Sequence, residues 1–222
     1  MISETRFKKE GENEERLGIC TDFIINPDNL NKKEFKCQFS NAYRILRLPE
    51  APNKTEKPLP LIFIAHGTGI APFISMLQKV AFYMHHKMYK ILMVFGTRDN
   101  TTDFLFNDFL IPFFRFSEHS NLVLACSRQI EDPIEAVASI QYEKGYVQDV
   151  IKSDPTLNSG KLSECLKEML SDDRAMIEVC GNESSMGRQA LGALVEIGAI
   201  KDMRAVEEMK EKGKVLMELW GE

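Results

Sequence analysis

The sequence has no long apolar run, no excess of positive charge and no paired-cysteine motif. No hydrophobic stretch approaches the roughly 20 residues that cross a bilayer, and the charged N-terminal stretch is unlike a signal peptide. The five cysteines show no CxxC or His-paired spacing, so no metal site is predicted. A net charge of −5 gives no general attraction to nucleic acid or to anionic membranes. We therefore expect a cytoplasmic protein with reduced thiols and neither of these partners.

The first 50 residues differ in pattern from the rest of the chain. They alternate short β-prone stretches with polar turns and are too few to bury a core of their own. A proline- and lysine-rich segment over 50–60 is typical of a linker. Beyond it, apolar strands alternate with amphipathic helices, which predicts a doubly wound α/β fold with five parallel strands. We predict a β region with a linker over 1–58 and an α/β domain over 59–222.

The predicted strands share short apolar runs, and most of the predicted helices share apolar stripes at helical spacing. The strands cover 61–66, 90–96, 121–127, 175–181 and 215–220. The helices cover 71–87, 103–115, 145–152, 161–170, 184–198 and 204–213. Residues 129–143 are interpreted as a long loop.

An apolar strand runs directly into a glycine loop and a predicted helix start within residues 61–73. Gly67 and Gly69 remove side chains where a ligand could approach the backbone, and Thr68 offers a hydroxyl donor between them. Pro72 suits the first turn of a helix, where its missing N–H costs nothing. A helix start after such a turn favours a phosphate, although a two-glycine loop alone is equally consistent with a turn that binds nothing.

Basic and hydroxyl side chains follow two further predicted strands. Because the carboxyl ends of parallel strands meet at one edge of a sheet, Arg98, Ser127 and Arg128 are expected near the glycine loop. The second strand is followed by Gly-Thr-Arg rather than by the acid that binds the ribose hydroxyls of NAD. Arginine suits a 2′-phosphate, so the set favours NADP(H) over NAD(H).

Five motifs in order resemble the NADP-binding half of the ferredoxin–NADP reductase superfamily, specifically the diflavin reductases. These include the reductases of microsomal cytochromes and of nitric-oxide synthase, and the sulfite reductase flavoprotein. The motifs are HGTGIAPF, GTRDNTTDFLFNDFL, ACSR followed by KGYVQD, IEVCGNESSMGR and the terminal ELWGE. The resemblance extends from about residue 5 to the C-terminus. It implies an NADPH-dependent flavoprotein reductase, in which NADPH gives a hydride to FAD and electrons pass onward singly.

The resemblance also implies roles for particular positions. For the phosphates, it implies that Thr68 lies by the pyrophosphate or nicotinamide side and that Arg98 lies along the phosphates. For the 2′-phosphate and adenine, it implies a cradle of Ser127, Arg128, Lys144 and Tyr146, with Gln148 nearby. For the nicotinamide and flavin, it implies Cys180 beside C4, Glu218 as an orienting acid and Trp220 as a movable cover of the flavin ring.

Three of these residues also have plain structural interpretations. A cysteine that follows an apolar strand, such as Cys180, is often a small buried hydrophobe. A terminal tryptophan such as Trp220 is often a packing residue, and Lys144 is an exposed charge unless a phosphate is present. His66 and Asn182 replace residues more typical of the family.

The N-terminal region resembles only the last part of the family's FAD-binding barrel. In ERLGICTDFI, the resemblance implies that Gly18, Cys20 and Thr21 meet the flavin pyrophosphate, whereas the R-x-Y-S motif that holds the isoalloxazine has no counterpart. A partial barrel would leave strand edges unpaired. Three alternatives therefore stay open: a reductase or a fragment of one, a module that binds NADP(H) without flavin or catalysis of its own, and a structural relic that docks a partner. The electron acceptor and the oligomeric state are not indicated.

Overall fold

The computed structural model describes residues 6–8, 15–17, 46–53, 56–131, 137–182 and 186–220. The chain forms two compact units, residues 1–43 and residues 44–222. In the first unit, strands β1 (Arg6–Lys8) and β2 (Glu15–Leu17) pair antiparallel. The barrel remnant and its predicted flavin contacts at Gly18, Cys20 and Thr21 lie outside the described residues and stay predictions.

The second unit contains a six-stranded parallel sheet in the order β10-β9-β3-β4-β5-β6. Its strands are β3 (Leu59–His66), β4 (Tyr89–Asp99), β5 (Asn121–Gln129), β6 (Ile140–Lys144), β9 (Met176–Asn182) and β10 (Val215–Trp220). A small antiparallel pair, β7 (Thr156–Leu157) and β8 (Gly160–Lys161), stands apart from this sheet. From β3 the sheet grows through β4 in one direction and through β9 in the other, so the strand order reverses beside β3.

Helices cover both faces of the large sheet. One face packs against α1 (Ala71–Phe82) and α2 (Asn107–Phe116). The other packs against α3 (Val147–Ser153), α4 (Leu162–Leu170), α5 (Arg188–Glu196) and α6 (Met203–Glu211). Because both faces are covered, the five residues from Leu61 to Ala65 in β3 are all fully buried. The predicted doubly wound fold class is confirmed.

The sheet has one strand more than the sequence predicts. β6 forms at its edge and lies largely within the segment that we interpret from sequence as a loop. Ile140 is buried, whereas Gln141 and Tyr142 are half-buried and Lys144 is exposed. A short edge strand with one fully buried residue has no apolar run and too little alternation to be recognised by periodicity. The prediction of five strands is therefore wrong by one.

The helix after the glycine loop begins as predicted, with Pro72 in its first turn. It ends at Phe82, five residues before the predicted end at 87. Met84 has a φ of 53°, in the left-handed region, and this conformation stops the helical hydrogen-bond pattern. The His85 amide then bonds back to the Val80 carbonyl at 2.9 Å. The shortened helix leads directly into the turn before β4.

Candidate functional site

The carboxyl ends of β3, β4, β5, β6 and β9 meet at one edge of the sheet, which we call the carboxyl edge. In open α/β sheets, ligands bind at this edge where the strand order reverses, here beside β3. The structure brings the following predicted residues to it: Gly67, Thr68, Gly69, Arg98, Ser127, Arg128, Lys144, Tyr146, Gln148 and Cys180. α1 also begins here, so its first amides face the same region.

The two glycines of the loop are required for different reasons. Gly67 has a φ of +53°, and a Cβ there would meet no atom within 4 Å, so this glycine serves the backbone and borders open space. A Cβ at Gly69 would lie 2.3 Å from the Cys180 carbonyl oxygen and 3.1 Å from the Gly181 Cα. The sequence suggests that both glycines clear space for a ligand. At Gly69 the reason is instead close packing on β9.

Thr68 lies between these glycines in a short 3-10 helix, Gly67–Ile70. Its carbonyl accepts a hydrogen bond from the Ala71 amide, which joins the loop to α1. Among the residues that the structure describes, nothing bonds to its hydroxyl. The loop, the start of α1 and the end of β9 together form what we call the glycine-loop half of the carboxyl edge.

An irregularity between β4 and β5 places the predicted basic residues. β5 advances from Cys126 to Gln129 while β4 advances only from Thr97 to Asp99, so β5 carries one extra residue. Such a bulge re-aims side chains and is common beside functional sites. The bulge contains Ser127 and Arg128. The Ser127 hydroxyl donates to the Thr97 carbonyl at 3.3 Å, which holds the two strand ends together.

Arg98 is engaged by an acid that the sequence analysis does not assign. Its Nη2 donates to Asp103 Oδ1 at 2.6 Å, and its amide donates to Asp103 Oδ2 at 3.0 Å. Burial would raise the pKa of Asp103, but hydrogen bonds from Arg98 and Thr97 outweigh it and lower that pKa. The Arg98 guanidinium is therefore held next to the carboxyl edge by Asp103.

Asp99 organises the loop that carries Asp103. Its Oδ1 accepts hydrogen bonds from the amides of Thr101 at 3.1 Å, Thr102 at 2.6 Å and Asp103 at 3.1 Å. Burial opposes ionisation of Asp99, but these hydrogen bonds hold its pKa well below the usual range. The sequence predicts that α2 begins at residue 103, but this turn occupies that position and the helix begins at Asn107.

Asn100 ties this loop to the end of β5. Its Nδ2 donates to the Glu131 carbonyl at 2.7 Å, and its Oδ1 accepts from the Glu131 amide at 2.8 Å. The side-chain amide thus replaces the two hydrogen bonds of a neighbouring strand. Since Arg128 lies three residues before Glu131, this bridge limits the movement of the segment that carries the arginine.

The remaining predicted 2′-phosphate residues follow β6. Lys144 pairs in register with Cys126 of β5, so it lies beside the bulge. Gly145 then turns the chain with a φ of +139°, and Tyr146 precedes α3 with 59% of its surface exposed. Gln148 lies in the first turn of α3. We call Ser127, Arg128, Lys144 and Tyr146 the cation half of the carboxyl edge.

Neither cation of this half is committed to another described group. Arg128 and Lys144 are exposed, and no hydrogen bond or ion pair joins either to the residues that the structure describes. Other described cations are paired, for example Lys90 with Glu168 at 2.8 Å. An anion that reached this half would find two cations available to it.

Cys180 is buried in β9 and pairs in register with Ala65 on one side and Glu218 on the other. Burial raises the pKa of its thiol to about 12, with further contributions from Glu218 and Glu178. The thiol is therefore protonated at neutral pH. Glu218 is exposed on β10. Trp220 ends β10 in register with Asn182, and its side chain lies outside the described part.

Glu178 is a buried acid that the sequence analysis does not assign. It precedes Cys180 by two residues and therefore points to the same face of the sheet. It has no exposed surface, and neither carboxyl oxygen has a hydrogen-bond partner among the described residues. Burial raises its pKa to about 8, although the backbone amide and the charge of Arg47 act in the opposite direction. The signal in the sequence is a single acid inside an otherwise apolar strand.

Residues 63–190 match the family described as the oxidoreductase NAD-binding domain. This match covers more than half of the 222-residue chain. The chain therefore belongs to the family of oxidoreductase NAD-binding domains. The carboxyl edge described above corresponds to the position at which this class of fold binds dinucleotides.

Particular relatives are diflavin reductases. The chain is 28% identical to the NADPH–cytochrome P450 reductase of Cavia porcellus in an alignment of 170 positions that covers 72% of this chain and 22% of that protein. It is 25% identical to the methionine synthase reductase of Bos taurus in an alignment of 226 positions that covers 92% of this chain and 31% of that protein. It is 27% identical to the NADPH–cytochrome P450 reductase of Dictyostelium discoideum in an alignment of 176 positions that covers 76% of this chain and 23% of that protein. The chain thus spans between a fifth and a third of the length of these relatives, and the resemblance to diflavin reductases is confirmed.

Among the described residues, each helix is too short or too polar to cross a membrane.

Proposed function

We propose that this chain is the NADPH-binding part of a flavoprotein reductase of the diflavin type. The pyrophosphate of NADP(H) would lie at the glycine-loop half, and the 2′-phosphate would lie at the cation half. The observation that carries the proposal is the position of Arg128 and Lys144. They are two uncommitted cations on the carboxyl edge of a domain whose family binds nicotinamide dinucleotides.

The residues present fit the phosphates of NADP(H). Gly67 borders open space next to the first amides of α1, and a helix start of this kind attracts negative charge. A 2′-phosphate would receive a charge-assisted hydrogen bond from Arg128 and the charge of Lys144, with Tyr146 exposed beside it for adenine stacking. Arg98 would face the phosphates between the two halves while Asp103 fixes its guanidinium.

Cys180 and Glu218, near the predicted nicotinamide position, fit a ring that gains positive charge when it loses a hydride. When bound, NADPH supplies a hydride from its nicotinamide. Cys180 would contact the ring as a neutral thiol, because its pKa of about 12 keeps it protonated. Glu218, in register with Cys180, would place a carboxylate where positive charge develops. We assign Trp220 as the cover of the flavin ring on the resemblance alone.

We further propose that the acceptor of the hydride is FAD, and that electrons pass from it to a protein partner in the cytoplasm. The relatives support this proposal, because their names couple NADPH to cytochrome P450 and describe a reductase of methionine synthase. Gly18, Cys20 and Thr21 are the positions that we propose for the flavin pyrophosphate. The motifs also resemble those of the nitric-oxide synthase reductase, so we propose that type as a further candidate.

A titration with two adenosine nucleotides tests the nucleotide assignment. We expect 2′,5′-ADP to bind more tightly than 5′-AMP, because only the former carries the 2′-phosphate. Arg128→Ala should remove most of this preference, about 1.5–3 kcal/mol, by deleting a charge-assisted hydrogen bond. Lys87→Ala is the matched control, since Lys87 lies before β4 at the opposite edge of the sheet and is paired with Glu118. Equal affinities for the two nucleotides would refute NADP(H).

A second assay separates a reductase from a nucleotide-binding module. Purified chain is mixed with FAD and NADPH, and flavin bleaching is followed without oxygen. Reduction would support catalysis by the chain itself. Tight binding of 2′,5′-ADP with no bleaching at saturating FAD would instead favour a module that needs a separate flavin domain.

A further inference from the structure

His66 lies between the two halves of the carboxyl edge. It ends β3, immediately before the glycine loop, and pairs in register with Gly96 of β4. A Cβ at Gly96 would lie 3.2 Å from His66 Cδ2, so the imidazole ring lies across this glycine. On the other side, a Cβ at Gly181 would lie 3.5 Å from the His66 Cβ. Gly96 therefore leaves room for the ring, and Gly181, on the other side of β3, lies beside the His66 Cβ.

The His66 side chain is exposed, unlike the rest of β3. His66 adopts an extended conformation at the start of the 3-10 helix and makes no capping hydrogen bond with its side chain. Neither ring nitrogen bonds to a residue within the described ranges. Although the side chain is exposed, the protein atoms around the ring partly desolvate it and lower the pKa of His66, and only Asp103 acts to raise this pKa. The ring is therefore neutral at pH 7 and holds one unused N–H donor.

The charged and titratable groups around this ring come from three elements. β4 and the loop after it carry Arg98, Asp99 and Asp103, of which Arg98 and Asp103 form an ion pair at 2.6 Å. β9 contributes Cys180, which is protonated at neutral pH. α3, whose Val147 contacts the position of Gly96, carries Asp149. Because Arg98 is already paired with Asp103, these groups would not neutralise the negative charge of a bound phosphate.

We propose that His66 is a ligand of the NADP(H) pyrophosphate and that it takes up a proton when the nucleotide binds. The inference rests on the proposed function, because the anion beside the ring is the pyrophosphate held by the glycine loop. The neutral ring of the free protein becomes an imidazolium in the complex, since a neighbouring anion favours the charged form. Affinity for NADP+ therefore falls as the pH rises through the neutral range, and the loss ends once the ring is neutral in both states.

Calorimetric titration with NADP+ from pH 5.5 to pH 8.0 tests this inference on wild type and on His66→Gln. Glutamine keeps an N–H donor but cannot be protonated. We expect the ratio of wild-type to variant affinity to fall about ten-fold across this range, as a shift of one pKa unit requires. Taking the ratio removes the titration of the nucleotide itself. His119→Gln, a variant in the turn before β5, should retain the wild-type profile.

Two further measurements make the outcomes distinguishable. The binding heat in buffers of different ionisation enthalpy should show proton uptake by wild type in excess of that by His66→Gln. In case the variant does not fold, the His66 ring can be titrated by NMR in wild type, where NADP+ should raise its pKa. If NADP+ binds and neither the affinity ratio nor the ring pKa changes, the inference is overturned while the proposed function stands. If wild type binds no NADP+ at any pH, both fail.

Discussion

In the glycine-loop half, the backbone of one element touches the backbone of another, whereas in the cation half the important groups are exposed side chains. Gly69 lies against the Cys180 carbonyl with no space for a methyl group. Arg128 and Lys144 have no described partner. The bulge and the Asn100–Glu131 bridge hold the segment that carries Arg128, and the pairing of β6 with β5 holds Lys144. Steric contact fixes the glycine-loop half, whereas the exposed charges of the cation half are available to attract an anion. A change in the first should affect folding and binding together, and a change in the second should affect binding alone.

The largest expected effect is that of Gly69→Ala. Its methyl group would lie 2.3 Å from a backbone oxygen, so the loop or β9 must shift. We expect a loss of about 3 kcal/mol of unfolding free energy, as overpacking of rigid surroundings produces, together with a loss of NADP+ binding. Urea denaturation and calorimetry measure these quantities. Gly192→Ala is the matched control, because a Cβ there meets no atom within 4 Å and alanine favours the helix interior. Equal stability of Gly69→Ala and wild type would contradict the claim that steric contact with β9 fixes the glycine-loop half.

The next effect concerns pH and Glu178, on the β9 side of the glycine-loop half. Its pKa is raised to about 8 in the folded state, so the folded protein retains a proton that the unfolded chain has lost above its ordinary value of 4.5. Between these two pKa values the unfolded state binds fewer protons than the folded state, so the free energy of unfolding falls by up to about 1.4 kcal/mol per pH unit as the pH rises. Above pH 8 Glu178 is ionised in both the folded and the unfolded state, and the fall ends.

Glu178→Gln tests this prediction, because glutamine has similar shape and no charge. We expect the variant to gain stability relative to wild type between pH 6 and pH 8, by about 2 kcal/mol, in denaturation measured at each pH. Glu118→Gln, which changes an exposed acid in the turn before β5, is the matched control. Parallel pH profiles of Glu178→Gln and wild type would show that this acid is ionised or paired in the folded protein.

A smaller effect is expected in the cation half for Asn100→Ala. The change removes both hydrogen bonds to Glu131 but leaves Arg128 and Lys144 in place. We expect the affinity for 2′,5′-ADP to fall by about 1 kcal/mol, since the arginine segment becomes less ordered, with little change in thermal stability. The affinity for 5′-AMP should be unchanged. If Asn100→Ala instead unfolds at lower temperature without losing affinity, the bridge belongs to the fold and not to the site.

An element could be predicted from sequence where neighbouring residues determine it. β3 and α1 follow from an apolar run and a proline at a helix start, so they were predictable to within a few residues. β6 was not predictable, because its own hydrophobic pattern is weak and its pairing with β5 makes it a strand. The family motifs indicated which residues gather at the carboxyl edge, and the structure places them there. Their binding roles stay predictions.

Contacts between distant parts of the chain account for what was missed. The need for glycine at position 69 arises from β9, more than a hundred residues later. The Asn100–Glu131 bridge joins positions 31 apart, and the partner of Arg98 depends on how Asp99 folds the loop. The burial of Glu178 depends on the residues that cover its face of the sheet. None of these causes is visible as a local periodicity.

The strand order has a consequence for the synthesis of the chain on the ribosome. β3 can pair with β4 once both have emerged, but its other neighbour, β9, is made only after 109 intervening residues have been added, from 67 to 175. Until then, one edge of β3 is open, and the glycine loop lacks the surface on which Gly69 rests. The glycine-loop half of the carboxyl edge is therefore completed late in translation. An open apolar strand in this interval is a natural target for a chaperone.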